Sequence, residues 1–233
     1  MTKQPDRRAA KASGGRRSQP RDLRTKEAIL EAALECFARF GFEGTSMSAV
    51  ARAAGVTQPL MHYYFDSKDE LWRAAVTSAF DEMLVQVELS NDLEELDPVS
   101  ALRVLIRRFM SFHDRHPLLM PLIAGEAHYM TARLTWVVDQ YVTPLERHMG
   151  EILHRGQQMG QIRADLPVPY MVRFIIGGAG QFFLAAALMR RTYNIDTSDP
   201  AALKTHANVV FELLFGGLLA NTSGAAKADT PRT

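Results

Sequence analysis

A chain of 233 residues with 47% apolar side chains can bury a sizeable core, which excludes a low-complexity or fibrous chain. One cysteine, Cys36, excludes an intrachain disulfide framework and reads as a buried structural thiol, and the longest apolar stretch, near Phe174 to Met189, is broken by Gln181 and reads as a buried helix of a cytoplasmic protein, not a membrane span. The net charge of +1 hides an asymmetry: residues 1–26 hold nine Lys and Arg against Asp6 and Asp22, a balance of +7 that leaves −6 for the rest, and such a basic end reads either as an arm that meets a polyanion or as a solvated tail.

Residues 1–21 are polar and rich in Arg, Ser, Gly and Pro, the composition of a disordered basic arm. From Asp22 on, Ile29, Ala33, Phe37 and Phe40 recur at spacings of three and four, and Ala32, Leu34 and Cys36 widen that helical face. Gly41 stops the helix. Thr45 or Ser46 caps a second, short helix through about Ala54, Gly55 turns the chain, and Thr57 caps a third helix that ends near Tyr64. Ser67 caps a fourth, with Asp69 and Glu70 in its first turn, where the helix dipole favours acids; it continues through Leu71, Ala75, Phe80, Leu84 and Val87.

An acidic linker, Asn91 to Asp97, separates this part from a helix opened by Pro98 and broken at His116-Pro117. Residues 118–130 and 133–158 read as two further helices, the second kinked at Pro144. A turn from Gly160 to Pro169 leads to two long apolar helices, about Pro169–Arg191 and Pro200–Leu219, and residues 221–233 read as a disordered tail. No strand alternation or repeat stands out, so the chain reads as all-α with about nine helices.

Ser46 to Lys68 carries the chemistry. A helix-turn-helix needs two short helices at a steep angle, joined at a residue that tolerates left-handed geometry. Val50 and Ala51 form the inner face of the first helix, and Ala54-Gly55-Val56 supplies a small residue, the turn glycine and an apolar plug. In the second helix Met61 and Phe65 face the core, leaving Thr57, Gln58, His62, Tyr63 and Tyr64 as hydrogen-bonding groups that suit a major groove. A helix–Gly–helix corner in any α-protein would share this spacing.

From Thr25 to about Val76 the chain resembles the N-terminal domain of TetR-family regulators. The resemblance rests on Ile29-Leu30-Glu31-Ala32-Ala33, Phe37, Gly41-Phe42, Thr45-Ser46, Val50-Ala51, Ala54-Gly55-Val56, Tyr63-Tyr64-Phe65, Ser67-Lys68 and Glu70-Leu71, in order and at the right spacing. It implies a helix-turn-helix DNA-binding domain over 22–71 and a helical ligand-binding and dimerisation domain over 72–220. It further implies a homodimeric repressor, not an enzyme, that a small-molecule effector releases from a palindromic double-stranded DNA operator. A corepressor-dependent regulator is the alternative, and a helical carrier or enzyme a more distant one. Carried over by position, Ser48 takes a base-reading place with a side chain too small to read strongly. Thr57, Gln58 and Pro59 open the recognition helix, with Gln58 suited to adenine. Thr45, Tyr63, Tyr64 and Lys68 take phosphate-contacting places. His62, Tyr64 and Leu60 depart from the family's usual residues, which bears on operator sequence.

In the C-terminal half Phe109, Phe112, Met120, Ile123, Met130, Trp136, Tyr141, Phe174 and Phe182 stand as candidate walls for a largely apolar effector. His113, His128, Arg173 and Gln181 stand as polar groups to orient it. Such a stripe at helical spacing is more often plain core than a pocket wall. Val209, Val210, Leu213, Leu214 and Leu218 stripe the last helix, and Gly177, Gly178 and Gly180 permit close helix approach in the one before. Together they suit either a dimer seam or an internal helix pair. His113 and His116 have no second pair at metal-ligand spacing, so neither a metal nor any other cofactor is expected.

Overall fold

Ile29, Ala33 and Phe37 are all buried on one face of the first helix, α1 (Pro20–Gly44). The computed structural model describes residues 20–88, 91–127 and 131–219, so nearly all of the expected arm and the whole of the expected tail lie outside the described residues, as do His128 and Met130. At Gly41 the α1 backbone leaves the helical range (φ 70°, ψ 174°), which L residues with a Cβ rarely adopt. This break is the stop expected there. Phe40, assigned to the inner face, is instead 55% exposed just before it.

Two short helices follow, α2 (Met47–Ala53) and α3 (Gln58–Tyr64), joined through Gly55 at φ 66°. Ser46 caps α2, its hydroxyl accepting from the Ala49 amide at 3.2 Å. Thr57 caps α3 in the same way from Leu60. Val50, Ala51, Met61 and Phe65 are buried in one core with α1, and α2 packs on both α1 and α3, which fixes the angle of the corner. Each fully buried side chain of this size contributes about 1.5–3 kcal/mol.

Helix α4 (Lys68–Glu88) starts with two reinforcing contacts. The Ser67 hydroxyl accepts from the Glu70 amide, and the Glu70 carboxylate reaches back to the Asp66 amide at 2.8 Å. Its buried Leu71, Trp72, Ala75, Val76, Ala79 and Phe80 belong to one continuous apolar core shared by both ends of the chain. Helix α1 packs on α4 and also on α7 (Leu119–Glu126). The expected domain boundary at 71/72 therefore falls inside an unbroken helix.

Beyond the one-turn α5 (Asn91–Glu94), α6 (Pro98–Arg115) runs through the centre of the C-terminal half, capped by Asp97. It packs on α4, α9 (Thr143–Gln158), α10 (Val168–Leu184) and α12 (Pro200–Leu218). The helix expected over 133–158 is divided into α8 (Ala132–Val137), a π turn at Val138–Val142, and α9. Pro144 has no amide hydrogen for the ladder, and the wider turn absorbs that gap. The apolar helix expected over 169–191 is likewise two, α10 and α11 (Ala186–Tyr193), bent by 64° about Ala185. These divisions and the one-turn α5, which stands where a linker was expected, account for twelve α-helices among the described residues against about nine. No single described helix is long and apolar enough to cross a membrane; α10 and α11 would be only if joined straight.

Candidate nucleic-acid interface and effector core

Capping at Thr57 and burial of Met61 and Phe65 hold α3 rigidly, with the opposite face turned outward. Gln58, Pro59, Leu60, His62 and Tyr63 are exposed on that face, and Ser48 is exposed on α2. Ser48 lies 3.1 Å from the Ser46 hydroxyl, oxygen to oxygen. Tyr63 is 71% exposed and meets Tyr64 edge-on at 5.2 Å. A helix that offers amide, imidazole and phenol groups from a fixed frame has the chemistry of major-groove contact.

Two expected contact residues are turned away from this face. Thr45 is buried, and its hydroxyl donates to the carbonyls of Gly41 (2.8 Å) and Cys36 (3.1 Å), so it closes the end of α1 and does not reach the open face. Half-buried Tyr64 points its hydroxyl at the Asp22 carbonyl, 3.5 Å away, tying α3 to the start of α1. Thr57 is exposed at the start of α3, and its hydroxyl accepts from the Leu60 amide as the expected cap. Both corrections have one cause: a backbone carbonyl of α1 takes the hydroxyl that was expected to face outward. Lys68 begins α4 as expected, but its ammonium donates to the Phe42 carbonyl at 2.9 Å.

In the C-terminal half the aromatic candidates meet one another. Tyr141 stacks on Phe80 at 4.4 Å and donates a hydrogen bond to the Thr77 hydroxyl at 3.0 Å. Phe109 and Phe112 flank His113 edge-on at 4.4 and 5.1 Å, and Phe183 closes the third side at 5.8 Å. His113 is 3% exposed, and its Nδ1 has no hydrogen-bond partner. Burial brings its pKa down from 6.5 to about 4, with His116 adding to the shift, so the imidazole is neutral at physiological pH. Met120 reaches toward Gly180: a Cβ there would stand 2.8 Å from the Met120 methyl and 3.7 Å from Phe109. Gly180 thus serves internal packing and leaves the expected seam. Ile123 is half-buried on α7, and Trp136 meets Trp72 and Tyr141.

Phe174, expected as a pocket wall, and Gln181, expected to orient the effector, both lie on the open face of α10. Phe174 is 70% exposed, beside Tyr170 at 77% and facing Leu213 of α12 at 72%. The exposed Gly177 and Gly178 continue this face, with open space where a Cβ would stand. Val210, Leu214 and Leu218 instead point into the protomer. Tyr170 was missed by sequence reasoning, although its spacing from Phe174, Gly177, Gly178 and Gln181 is that of a second helical face. Among the described residues no group of three or more His, Cys, Asp or Glu is placed to hold a metal.

Comparison with known proteins accords with this division. Residues 29–75 match the family described as bacterial regulatory proteins, tetR family, and residues 98–214 match the tetracyclin repressor-like C-terminal domain. The HTH-type transcriptional regulator RutR of Escherichia coli K12 is 32% identical over 123 residues, 49% of this chain and 57% of that protein. The chain thus spans little more than half the length of that relative. The HTH-type transcriptional repressor NicS of Pseudomonas putida is 31% identical over 158 residues, 67% of this chain and 74% of that one. In fold, the ketosteroid transcriptional regulator KstR2 of Mycobacterium tuberculosis superimposes with a TM-score of 0.67 at 19% identity, covering 83% of this chain and 94% of that one.

Proposed function

This chain belongs to the TetR family of bacterial regulatory proteins, and from that premise we propose that it is a homodimeric repressor of transcription, acting in the cytoplasm and released from a palindromic operator by a small molecule. The carrying observation is the outer face of α3, where Gln58, His62 and Tyr63 are exposed on a helix pinned by its buried side. One such helix spans only a few base pairs. Two related by a twofold axis, about 34–36 Å apart or a multiple of that, read a palindrome.

The α10–α12 face supports the twofold. Exposed Tyr170, Phe174 and Leu213 are too apolar to leave in water together. Glycines within a helix cost about 1 kcal/mol each relative to alanine, and among the described residues no atom lies within 4 Å of where a Cβ of Gly177 or Gly178 would stand. A second copy approaching closely would need both. The seat proposed for the effector is the interior between α6, α7 and α10, beside Phe109, His113, Met120 and Tyr141. The unpartnered Nδ1 of a neutral imidazole among aromatic rings suits a largely apolar molecule with one hydrogen-bonding group. KstR2, a regulator named for ketosteroids, shares the fold, and steroids have that chemistry.

Selection of duplexes from a random pool tests the DNA reading. Enrichment of an inverted repeat with half-sites about one helical turn apart, or a multiple, is expected. Enrichment of no sequence, or of a single unrepeated site, would defeat it. Titrating the selected DNA with and without candidate effectors then separates release from corepression.

A further inference from the structure

Lys68 does not project freely from the start of α4. Its ammonium donates to the Phe42 carbonyl at 2.9 Å and lies 4.3 Å from the centre of the Phe42 ring. The same ring holds a second cation, contributed by the C-terminal half. The Arg133 guanidinium, from the first turn of α8, stands 3.5 Å from the ring centre. Arg133 is itself anchored to the Glu126 carboxylate at the end of α7, at 3.3 and 3.4 Å. That carboxylate also accepts from the Thr131 hydroxyl at 2.8 Å. The ion pair is largely withdrawn from water, with side chains 16% and 12% exposed, so salt screens it little.

Phe42 follows directly on the break at Gly41, so the ladder of α1 does not by itself fix where its ring and carbonyl stand. Phe37 stacks on the ring at 5.8 Å and the Thr45 amide donates to the carbonyl at 3.2 Å, and the two cations add to these holds. An aromatic face attracts a cation, and a guanidinium lies flat on it. An ammonium has three N–H donors, of which the Phe42 carbonyl takes one and leaves the others for a phosphate oxygen.

We propose that Arg133 is a positioning residue for DNA binding: from the C-terminal half it holds Phe42, and through the Phe42 carbonyl it sets where the Lys68 ammonium stands when it meets a phosphate. The proposal rests on the reading of Lys68 as a phosphate contact. Neither residue faces a base in this scheme, so the effect falls on affinity and leaves sequence preference unchanged.

The test titrates two duplexes, the DNA that the protein selects from a random pool and an unrelated one of equal length. Wild type, R133A, R133K, K68A and the K68A/R133A pair are compared over a range of salt. K68A should weaken both duplexes and flatten the log–log salt slope by about two units per dimer. R133A should weaken both alike, by about fivefold, the worth of a partly desolvated cation–π contact. R133K, which keeps the cation, should recover most of that loss. In the K68A background the further loss from R133A should shrink to less than about twofold, because the two act as one unit.

Trp72 and Trp136, the only tryptophans, provide a spectroscopic check. They meet with ring centres 6.1 Å apart, and Arg133 lies 5.9 Å from the Trp72 ring, so emission should change in R133A and hold steady in R133K. An equal R133A loss in both backgrounds would overturn the proposal, as would a loss confined to the selected duplex. K68A without effect on either duplex would overturn the reading of Lys68 itself. Should R133A fail to fold, E126Q loosens the anchor while keeping its shape. It should show the same pattern at reduced size, and E126Q binding indistinguishable from wild type would then overturn the proposal.

Discussion

Placing charge on the α10–α12 face should separate assembly from folding. Leu213 and Phe174 keep 72% and 70% of their surface exposed in the protomer, so replacing both with Glu removes almost nothing from the protomer's own core. Leu214, next in sequence, is 4% exposed, and a Glu there would unfold the protomer. Full burial of such a side chain is worth about 1.5–3 kcal/mol, so the exposed share of each is worth about 1–2 kcal/mol on association. A twofold interface repeats every contact, and four such side chains make about 4–8 kcal/mol. The new carboxylates add a desolvation cost of several kcal/mol per ion before relaxation. Dimer dissociation should therefore strengthen at least about a thousandfold. Sedimentation velocity, helical circular dichroism and binding to the selected DNA should be measured on one sample. The expected result is a folded monomer that binds a half-site weakly and has lost the full operator. A Phe174→Glu/Leu213→Glu protein that remained dimeric would refute the assignment of this face. A monomer that held the full operator as tightly as wild type would refute the link between dimerisation and DNA reading.

Three further outcomes are expected. Gln58→Ala should relax preference at one base pair per half-site, at about 1–3 kcal/mol each, and leave random duplexes nearly untouched; equal weakening of both, in a binding-site titration, would make Gln58 a positioning contact. His113 is held neutral, with a pKa of about 4 against 6.5 when unfolded, so the unfolded chain binds the extra proton first as pH falls. Its contribution to stability is complete above pH 6.5 and is lost on acidification toward pH 4, by about 3 kcal/mol, a loss that His113→Leu should remove. Urea midpoints that fall equally with pH in both proteins would contradict this. Gly156→Ala would place a Cβ 2.5 Å from the Ile162 Cδ1 and 3.2 Å from the Pro98 Cβ, where α9 meets the turn before α10. It should destabilise by about 1–3 kcal/mol in denaturant titration, and an unchanged midpoint would show that the turn yields.

What the sequence made legible was local. Gly55 at φ 66°, the break at Gly41 and the cap at Thr57 follow from the chemistry of a few neighbouring residues, and all stand where expected. Which way a side chain faces was legible only where a helix is apolar on one side, as in α3 and α6. Helices α10 and α12 are apolar nearly all round. Val172, Ile175, Ala179 and Phe183 are buried, whereas Tyr170, Phe174 and Leu213 are open, and periodicity cannot rank two apolar faces. That is why Phe174 and Gln181 were placed in a pocket, and Gly180 in a seam. Thr45 was beyond reach for another reason: its role depends on the Cys36 and Gly41 carbonyls, which the chain brings to it only after α1 has ended. The Arg133–Phe42 contact joins residues about ninety apart, and no spacing rule links them.

Helix α4 runs unbroken from the helix-turn-helix into the C-terminal core, while α1 leans on α7, so among the described residues no seam separates the two ends. Recombination between relatives at such a place would marry a foreign α1 to a native α7 and leave both strained. Chimeras cut near residue 71 should consequently be poor donors of new specificity, however well each parent folds. Novelty is cheaper at the outward positions of α3, where Gln58 and His62 can vary without disturbing the core. On this architecture, lineages should acquire new operators by drift at a handful of codons, with the body of the molecule inherited whole.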